Sequence, residues 1–178
     1  MVKFYSISCC FLFSLLAFSQ EENNTEKKTD DFHHRITIAM ANVHIPVADN
    51  MEQQGAFYIV PTWVVNYDYW FRNKFAIGLH NDIALQQYEV SFEENVITRN
   101  HPIVITVVGL YKVSPHWTFL LGAGREFEKN ENFNLLRLGT EYGIEIQNNF
   151  EINFNFIYDS KFNAYDAFMF GFGLSKKL

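Results

Sequence analysis

Apolar and polar residues alternate with a period of two through most of this chain. Between residues 150 and 158 the apolar face is made by Phe150, Ile152, Phe154, Phe156 and Tyr158. The positions between them are mostly polar, and the segment Phe168–Leu174 repeats the pattern. Because successive side chains of a strand point to opposite faces, this spacing predicts long strands with one apolar side.

Eight segments carry this pattern, and together they predict an all-β fold. They cover residues 34–44, 57–71, 75–90, 102–113, 117–128, 133–146, 150–159 and 166–176. The connections at 72–74, 114–116 and 147–149 are short, whereas those at 45–56, 91–101, 129–132 and 160–165 are longer on the whole. Short turns on one rim and longer loops on the other are typical of outer-membrane barrels. We therefore expect an eight-stranded antiparallel up-and-down transmembrane β-barrel over residues 34–178.

The N-terminus predicts export. Residues 1–19 have the form of a signal peptide, with Lys3 before an apolar run and the small residues Ala17 and Ser19 before a cleavage site. Cys9 or Cys10 could instead be a lipoprotein cysteine, but most of the apolar run follows them. Both would leave with the signal, so the mature chain would have no disulfide or thiol site. Residues 20–33 are polar and without periodicity, which predicts a periplasmic tail.

Composition narrows the class of protein. Aromatic residues make up 17% of the chain, yet the mean hydropathy is −0.10. No apolar run beyond the N-terminus approaches the roughly 20 residues that a membrane helix needs, which excludes a helical membrane protein. The net charge is −6 and there is no basic stripe, so we expect no nucleic-acid partner.

The glycines indicate which face of the strands points inward. Seven of the nine lie opposite the bulky apolar residues: Gly78, Gly122, Gly124, Gly139, Gly143, Gly171 and Gly173. A narrow eight-stranded barrel has room inside mainly for small side chains. A soluble, lipocalin-like barrel with an apolar interior is the alternative, but its outer surface would favour polar residues over glycine. We therefore expect the bulky face to contact lipid.

Aromatic residues collect near both ends of the predicted strands, where they would form two interfacial belts. Around the short turns lie Tyr67, Tyr69, Trp70, Phe71, Phe75, Tyr111, Trp117 and Phe150. Around the longer loops lie Phe57, Tyr88, Phe127, Phe133, Tyr158 and Tyr165.

With these features the chain resembles the small eight-stranded outer-membrane β-barrel proteins of Gram-negative bacteria. The resemblance covers residues 34–178, and its most specific part is the last strand, 168–175. That strand looks like the C-terminal signal read by the barrel-insertion machinery, although the chain ends in Lys176, Lys177 and Leu178 rather than an aromatic residue. The resemblance implies a location in the cell outer membrane and contact with its lipid. It does not imply one activity, because such barrels serve as inert barrels, adhesins, lipid-modifying enzymes or solute passages.

The inward register contains many charged residues. They are Arg35, Asp68, His80, Asp82, Lys112, Glu126, Arg137, Glu141, Glu145, Glu151 and Asp159. Ionised groups in a narrow lumen need partners. We favour a structural network that plugs the lumen, in which Arg137 pairs across strands with Glu126 or Glu151. Three permanent cations face seven acids, so a cation-attracting path or a binding cup is the alternative.

Catalytic chemistry is weakly indicated. His80 and Asp82 share a face and could orient a general base, as in a lipid-modifying enzyme. However, no serine lies at an instructive spacing, and the pairs Asp30–Asp31 and His33–His34 lack the spacing of a metal site. We expect no catalytic residue, metal or cofactor.

The functional hypothesis is a monomeric, non-enzymatic outer-membrane barrel with a structural or surface-interaction role. A surface ligand would bind at the loops 45–56 and 91–101. The alternatives are a narrow passage or binding cup for a small cationic or polar solute, and a lipid-modifying enzyme.

Overall fold

Ten antiparallel strands make up the fold in a computed structural model that describes residues 33–46, 57–92 and 95–178. The strands are β1 (His34–Pro46), β2 (Phe57–Arg72), β3 (Phe75–Ala84), β4 (Gln87–Phe92), β5 (Asn95–Asn100), β6 (Ile103–Lys112), β7 (Trp117–Phe127), β8 (Phe133–Glu145), β9 (Phe150–Lys161) and β10 (Asp166–Lys177). Eight of them close into a barrel in the order β1-β10-β9-β8-β7-β6-β3-β2. Each barrel strand pairs with its neighbour along the barrel, and β10 pairs with β1, so the predicted eight-stranded up-and-down barrel is confirmed.

The predicted third strand and the loop after it are corrected by the structure. The barrel strand β3 ends at Ala84 rather than at residue 90, and β4 and β5 form a separate two-stranded sheet, here called the mouth hairpin. The segment 91–101, expected to be a loop, therefore contains β5. The alternation continues in phase through the bend at Leu85 and Gln86, so periodicity could not separate the two strands. The predicted signal peptide and all but one residue of the predicted tail lie outside the described residues, as do 47–56 of the first loop.

The two faces of the barrel strands are distributed as the alternation predicts. Phe170, Phe172 and Leu121 on the outer face are more than half exposed, whereas Ala39, Val64 and Val108 on the inner face are buried. An apolar outer band that encircles the barrel is stable in lipid and not in water. In the described part of the chain, no helix has the length and apolar character needed to cross a membrane.

Glycines let side chains and backbone approach closely inside the barrel. A Cβ built at Gly122 would lie 2.8 Å from the Cα of Val108 on β6. A Cβ at Gly173 would lie 2.9 Å from Oδ1 of Asn153 on β9. Since real Cβ atoms do not approach other atoms so closely, only glycine fits these positions without a shift of its surroundings.

Apolar side chains also fill part of the interior, in two buried clusters. One consists of Ala39, Ala41, Val64, Ala76, Val108, Leu110, Leu120, Ile157 and Met169. The other lies at the rim with the longer connections, the outer mouth, and consists of Ile45, Val60, Ala84, Tyr88, Val90, Phe133, Tyr165 and Ala167.

The aromatic belts are corrected in four places. Tyr88, Phe133 and Tyr165 point into the outer mouth instead of joining the belt there. Trp70 packs against the inner cluster and lies under the guanidinium of Arg35. The other short-turn aromatics from Tyr67 to Trp117 are exposed on the outer face.

Candidate functional site

The rim with the short turns holds a cluster around Arg35, near the start of β1. Its guanidinium forms ion pairs with Asp68, at 2.9 Å, with Glu151, at 3.2 Å, and with Glu141. Asp68 lies directly opposite Arg35 in the β1–β2 register, whereas Glu141 and Glu151 come from β8 and β9. Arg35 is 3% exposed, so one buried cation is shared by carboxylates from three strands.

Lys177 extends this cluster to the rim itself. Its ammonium lies 2.9 Å from Glu151 and 2.5 Å from Glu145. The side chain of Glu145 is 54% exposed, which corrects its expected position inside the lumen. Lys112, at the end of β6, is half-buried rather than enclosed. Both residues sit at the ends of their strands, where the wall of the barrel no longer excludes water.

A second cluster forms around Arg137 on β8. Its Nε and Nη2 donate to the two oxygens of Asp159, at 2.7 and 2.6 Å, and Nη2 also donates to Asp82 on β3. The expected partners were wrong, because Glu126 and Glu151 bind other cations. The register explains the choice, since Asp159 lies directly opposite Arg137 in the β8–β9 ladder.

His80 and Asp82 do not form the pair that the sequence analysis considered for a general base. The Nε2 of His80 donates to Oδ1 of Asp68, at 3.0 Å, while Asp82 binds Arg137. The two side chains share the inner face but belong to different clusters. In the described residues no group of three or more metal-binding side chains comes together.

A third cluster fills the outer mouth and centres on Arg99, which the mouth hairpin carries on β5. The Nε and Nη2 of Arg99 donate to Oε1 of Glu126, at 2.9 and 2.6 Å. Nη1 donates to the backbone carbonyl of Glu131, at 2.7 Å, and lies 3.5 Å from the carboxylate of Glu128. The guanidinium also lies over the ring of Phe133, at 4.6 Å from its centroid. Arg99 has no exposed surface.

Two tyrosines complete the outer cluster. The hydroxyl of Tyr165 donates to Glu126 at 2.9 Å, and the hydroxyl of Tyr88 lies 2.8 Å from that of Tyr165. Burial, and then the negative charge of Glu126, raise the pKa of both phenols above its usual value. Both therefore stay protonated donors over a wide pH range. Lys161 approaches Glu126 to 3.5 Å and lies over the ring of Tyr165.

Sequence reasoning missed three interior cations. Arg99 lay in an assumed loop, Lys161 lay just past an assumed strand end, and Lys177 lay beyond another. Lys161 is two residues from Asp159, so extending the period of β9 by one step would have found it. Among the described residues the interior and its two rims hold six cations (Arg35, Arg99, Lys112, Arg137, Lys161 and Lys177) and eight acids (Asp68, Asp82, Glu126, Glu128, Glu141, Glu145, Glu151 and Asp159). The acid excess falls from four to two.

A small cavity separates the second cluster from the third. Asp82 and Asp159 line it on one side and Glu126 and Lys161 on the other, and its walls include Val60 and Met169. Its volume is about 30 Å³, which is room for about two water molecules. One carboxylate oxygen of Asp82, Oδ1, has no hydrogen-bond partner among the described residues.

Comparisons with known proteins find the fold. No family model and no curated protein matches the chain. Among solved structures, Ail, the attachment invasion locus protein of Yersinia pestis, matches at 15% identity and a TM-score of 0.53, covering 83% of this chain and 99% of Ail. Ail in complex with the heparin analogue sucrose octasulfate matches at 16% identity and a TM-score of 0.56, with the same coverage. Together with the apolar outer face, this likeness shows that the chain is a transmembrane β-barrel with the fold of the small eight-stranded outer-membrane barrels of Gram-negative bacteria.

Proposed function

We propose that this protein is a monomeric, non-enzymatic outer-membrane barrel with a closed lumen that acts at the cell surface. The observation that carries the proposal is the pairing of its interior charges in three clusters, one of which ties the mouth hairpin into the barrel. A structural or surface-interaction role then falls to the outer loops.

The ion pairs support a closed lumen. Arg35, Arg99 and Arg137 are each at most 3% exposed, and each binds at least two carboxylates. A buried charge without partners is costly, so these groups hold one another in place instead of attracting a passing ion. Apolar residues such as Val108 and Leu120 occupy interior positions as well.

The same contacts weigh against the two alternatives. The hypothesis of a cation-attracting path was based on an excess of interior acids over cations. That excess is halved when Arg99, Lys161 and Lys177, which the sequence analysis missed, are counted together with Glu128. The lipid-modifying enzyme rested on His80 and Asp82, each of which binds a different partner inside the barrel. Neither side chain reaches the lipid face.

A surface role is favoured by the polar groups that the structure exposes at the outer mouth. The mouth hairpin turns Thr98 and Asn100 to solvent, and His101 follows them. Ail, which shares the fold, is described as an attachment invasion locus protein and has been crystallised with a heparin analogue. By analogy of fold alone, we propose ligand binding at the loops 45–56 and 91–101.

Conductance across planar bilayers tests the closed lumen. The refolded protein is expected to insert without opening a channel, whereas a known porin refolded in the same way serves as the positive control. A stable, cation-selective conductance would contradict the proposal.

A second experiment tests the surface role. Cells that display the protein are compared, on arrays of glycans and host proteins, with cells that display Thr98→Ala/Asn100→Ala. The variant is expected to lose binding that the unaltered protein confers. Equal binding by both, and by cells without the protein, would contradict a role for this loop.

A further inference from the structure

The pocket around Arg99 is built mainly by the barrel and the connections between its strands. Glu126 ends β7, Glu128 and Glu131 lie in the β7–β8 connection, Phe133 begins β8 and Tyr165 precedes β10. We call these five residues the guanidinium socket. The mouth hairpin supplies none of these five residues. It adds the side chain of Arg99, which fills the socket, and Tyr88, whose hydroxyl lies 2.8 Å from that of Tyr165.

Arg99 is held on an element that is separate from the barrel sheet. Within the mouth hairpin, β4 pairs with β5 from Gln87, which lies opposite Asn100, to Phe92, which lies opposite Asn95. Neither strand pairs with a strand of the barrel. The hairpin is attached at Leu85–Gln86 and at His101–Pro102, and His101 has a positive φ of 47°. A two-stranded sheet is only marginally stable by itself. Arg99 can therefore leave the socket with the hairpin while the barrel hydrogen bonds stay intact, and Tyr88 and Val90 then leave the buried cluster at the outer mouth.

The socket has the features that recognise a planar cation. A carboxylate accepts two donors from one edge of the guanidinium, a backbone carbonyl accepts a third, and an aromatic face covers the plane. This combination suits the fork of a guanidinium and suits a compact ammonium less well. Without Arg99, Lys161 is the cation among the described residues that pairs with Glu126, so Glu126, Glu128 and Lys161 together carry one negative charge.

We propose that the socket is a binding site for a small solute with a guanidinium group, and that Arg99 is its internal, competing occupant. The inference rests on the proposed closure of the mouth by the hairpin and adds that this closure is reversible. The cavity beside Glu126 and Lys161 provides space for the few remaining atoms of such a solute. Binding displaces Arg99 and swings the hairpin away from the mouth.

Competition sets the expected affinities. A solute can bind only while Arg99 is out of the socket, so its apparent affinity is lowered by the fraction of molecules in that open state. Replacing Arg99 by alanine removes the competitor. The variant should therefore bind the solute at least about tenfold more tightly than the unaltered protein if the open fraction is about a tenth or less.

Calorimetric titration with methylguanidinium tests this on the full barrel in lipid nanodiscs. Arg99→Ala is expected to bind methylguanidinium saturably and to bind methylammonium, of equal charge, far more weakly. Arg99→Ala/Glu126→Gln is expected to lose the binding. Arg125→Ala, which removes an arginine from the outer face of the same region, should behave as the unaltered protein does. A short peptide with a central arginine is expected to bind less well than methylguanidinium.

The opposite results would overturn the inference. Equal binding of the two cations by Arg99→Ala, or binding that survives the loss of Glu126, would show that the socket does not recognise a guanidinium. Equal or tighter binding of the peptide would assign the socket to a polypeptide partner instead of a small solute.

Hydrogen exchange on the unaltered protein tests whether methylguanidinium displaces the mouth hairpin, even if Arg99→Ala does not fold. Methylguanidinium should accelerate exchange at the amides of β4 and β5, and methylammonium should not. Failure of this test leaves the closed lumen standing. Conductance by the unaltered barrel would contradict the closed lumen, and binding at the socket would then be judged by the titrations alone.

Discussion

Arg137 shows most directly how a single side chain stabilises the interior. It is 1% exposed, and its only described ion-pair partners are Asp82 and Asp159, from strands on either side of the lumen. Replacing it by alanine strands two carboxylates in a closed space, and breaking a buried pair typically costs about 3–5 kcal/mol. Arg137→Ala should lower the free energy of unfolding by about this amount at neutral pH.

Acid should reduce that loss. At low pH the stranded carboxylates can be protonated in the folded variant, which removes their uncompensated charge, so the difference in stability between the variant and the unaltered protein shrinks as pH falls. Urea unfolding in lipid vesicles at neutral and acidic pH measures both effects, with Arg125→Ala as the control that strands no interior carboxylate. A loss below about 1 kcal/mol at both pH values would mean that the Arg137 cluster is solvated.

Glycine placement offers a second test at this scale. An added Cβ at Gly122 would meet Val108, including its Cα at 2.8 Å, whereas a Cβ at Gly109 on the outer face would meet only the carbonyl of Leu121 at 3.8 Å. Overpacking costs about 1–3 kcal/mol. Gly122→Ala should lower the free energy of unfolding by about 1–3 kcal/mol or more. Gly109→Ala should change that free energy by no more than about 0.5 kcal/mol. Equal effects in the same unfolding assay would mean that the faces of β6 and β7 are assigned wrongly.

At the scale of elements, the mouth hairpin is the part that the sequence predicted least well. Tyr88 and Val90 continue the inward phase of β3, so alternation alone extends one strand across the bend. Two signals were available. A strand of 16 residues would overrun its predicted partner at 102–113, and Arg99 shares the alternating face of Ile97 and His101. Neither indicates that the hairpin folds over the mouth, because that depends on Glu126 and Phe133, which are distant in sequence.

Removing the mouth hairpin tests how much of the closure it provides. In a variant with residues 87–100 replaced by a short glycine-serine turn, the barrel ladder is complete and should still form. The Arg35 and Arg137 clusters and the apolar interior remain, so we expect no conductance in planar bilayers even though Tyr165 becomes accessible to solvent. A variant that conducts would mean that the hairpin alone closes the lumen.

At the scale of the whole molecule, periodicity was sufficient for the fold and insufficient for the interior partners. Strand number, topology and the outward face follow from local alternation, loop lengths and glycines, which the sequence displays directly. Asp68 and Asp159 lie on strands adjacent to those of their arginines. The other partners of Arg35 and Arg137 cross the lumen between strands that are far apart in sequence, as in Arg35 with Glu141. They depend on register and on the diameter of the closed barrel, and neither is visible in one strand.

Closure of the barrel gives the last prediction, which concerns the whole chain. Since β10 pairs with both β9 and β1, every barrel strand has two partners and no edge remains open. Such a barrel in lipid should resist detergent until it is heated, so the protein is expected in the outer-membrane fraction and should migrate differently on gels before and after boiling. A chain that lacks residues 166–178 cannot close and should show no such shift. Recovery of the intact native protein from the soluble periplasmic fraction, or identical migration of boiled and unboiled samples, would contradict a membrane-embedded closed barrel.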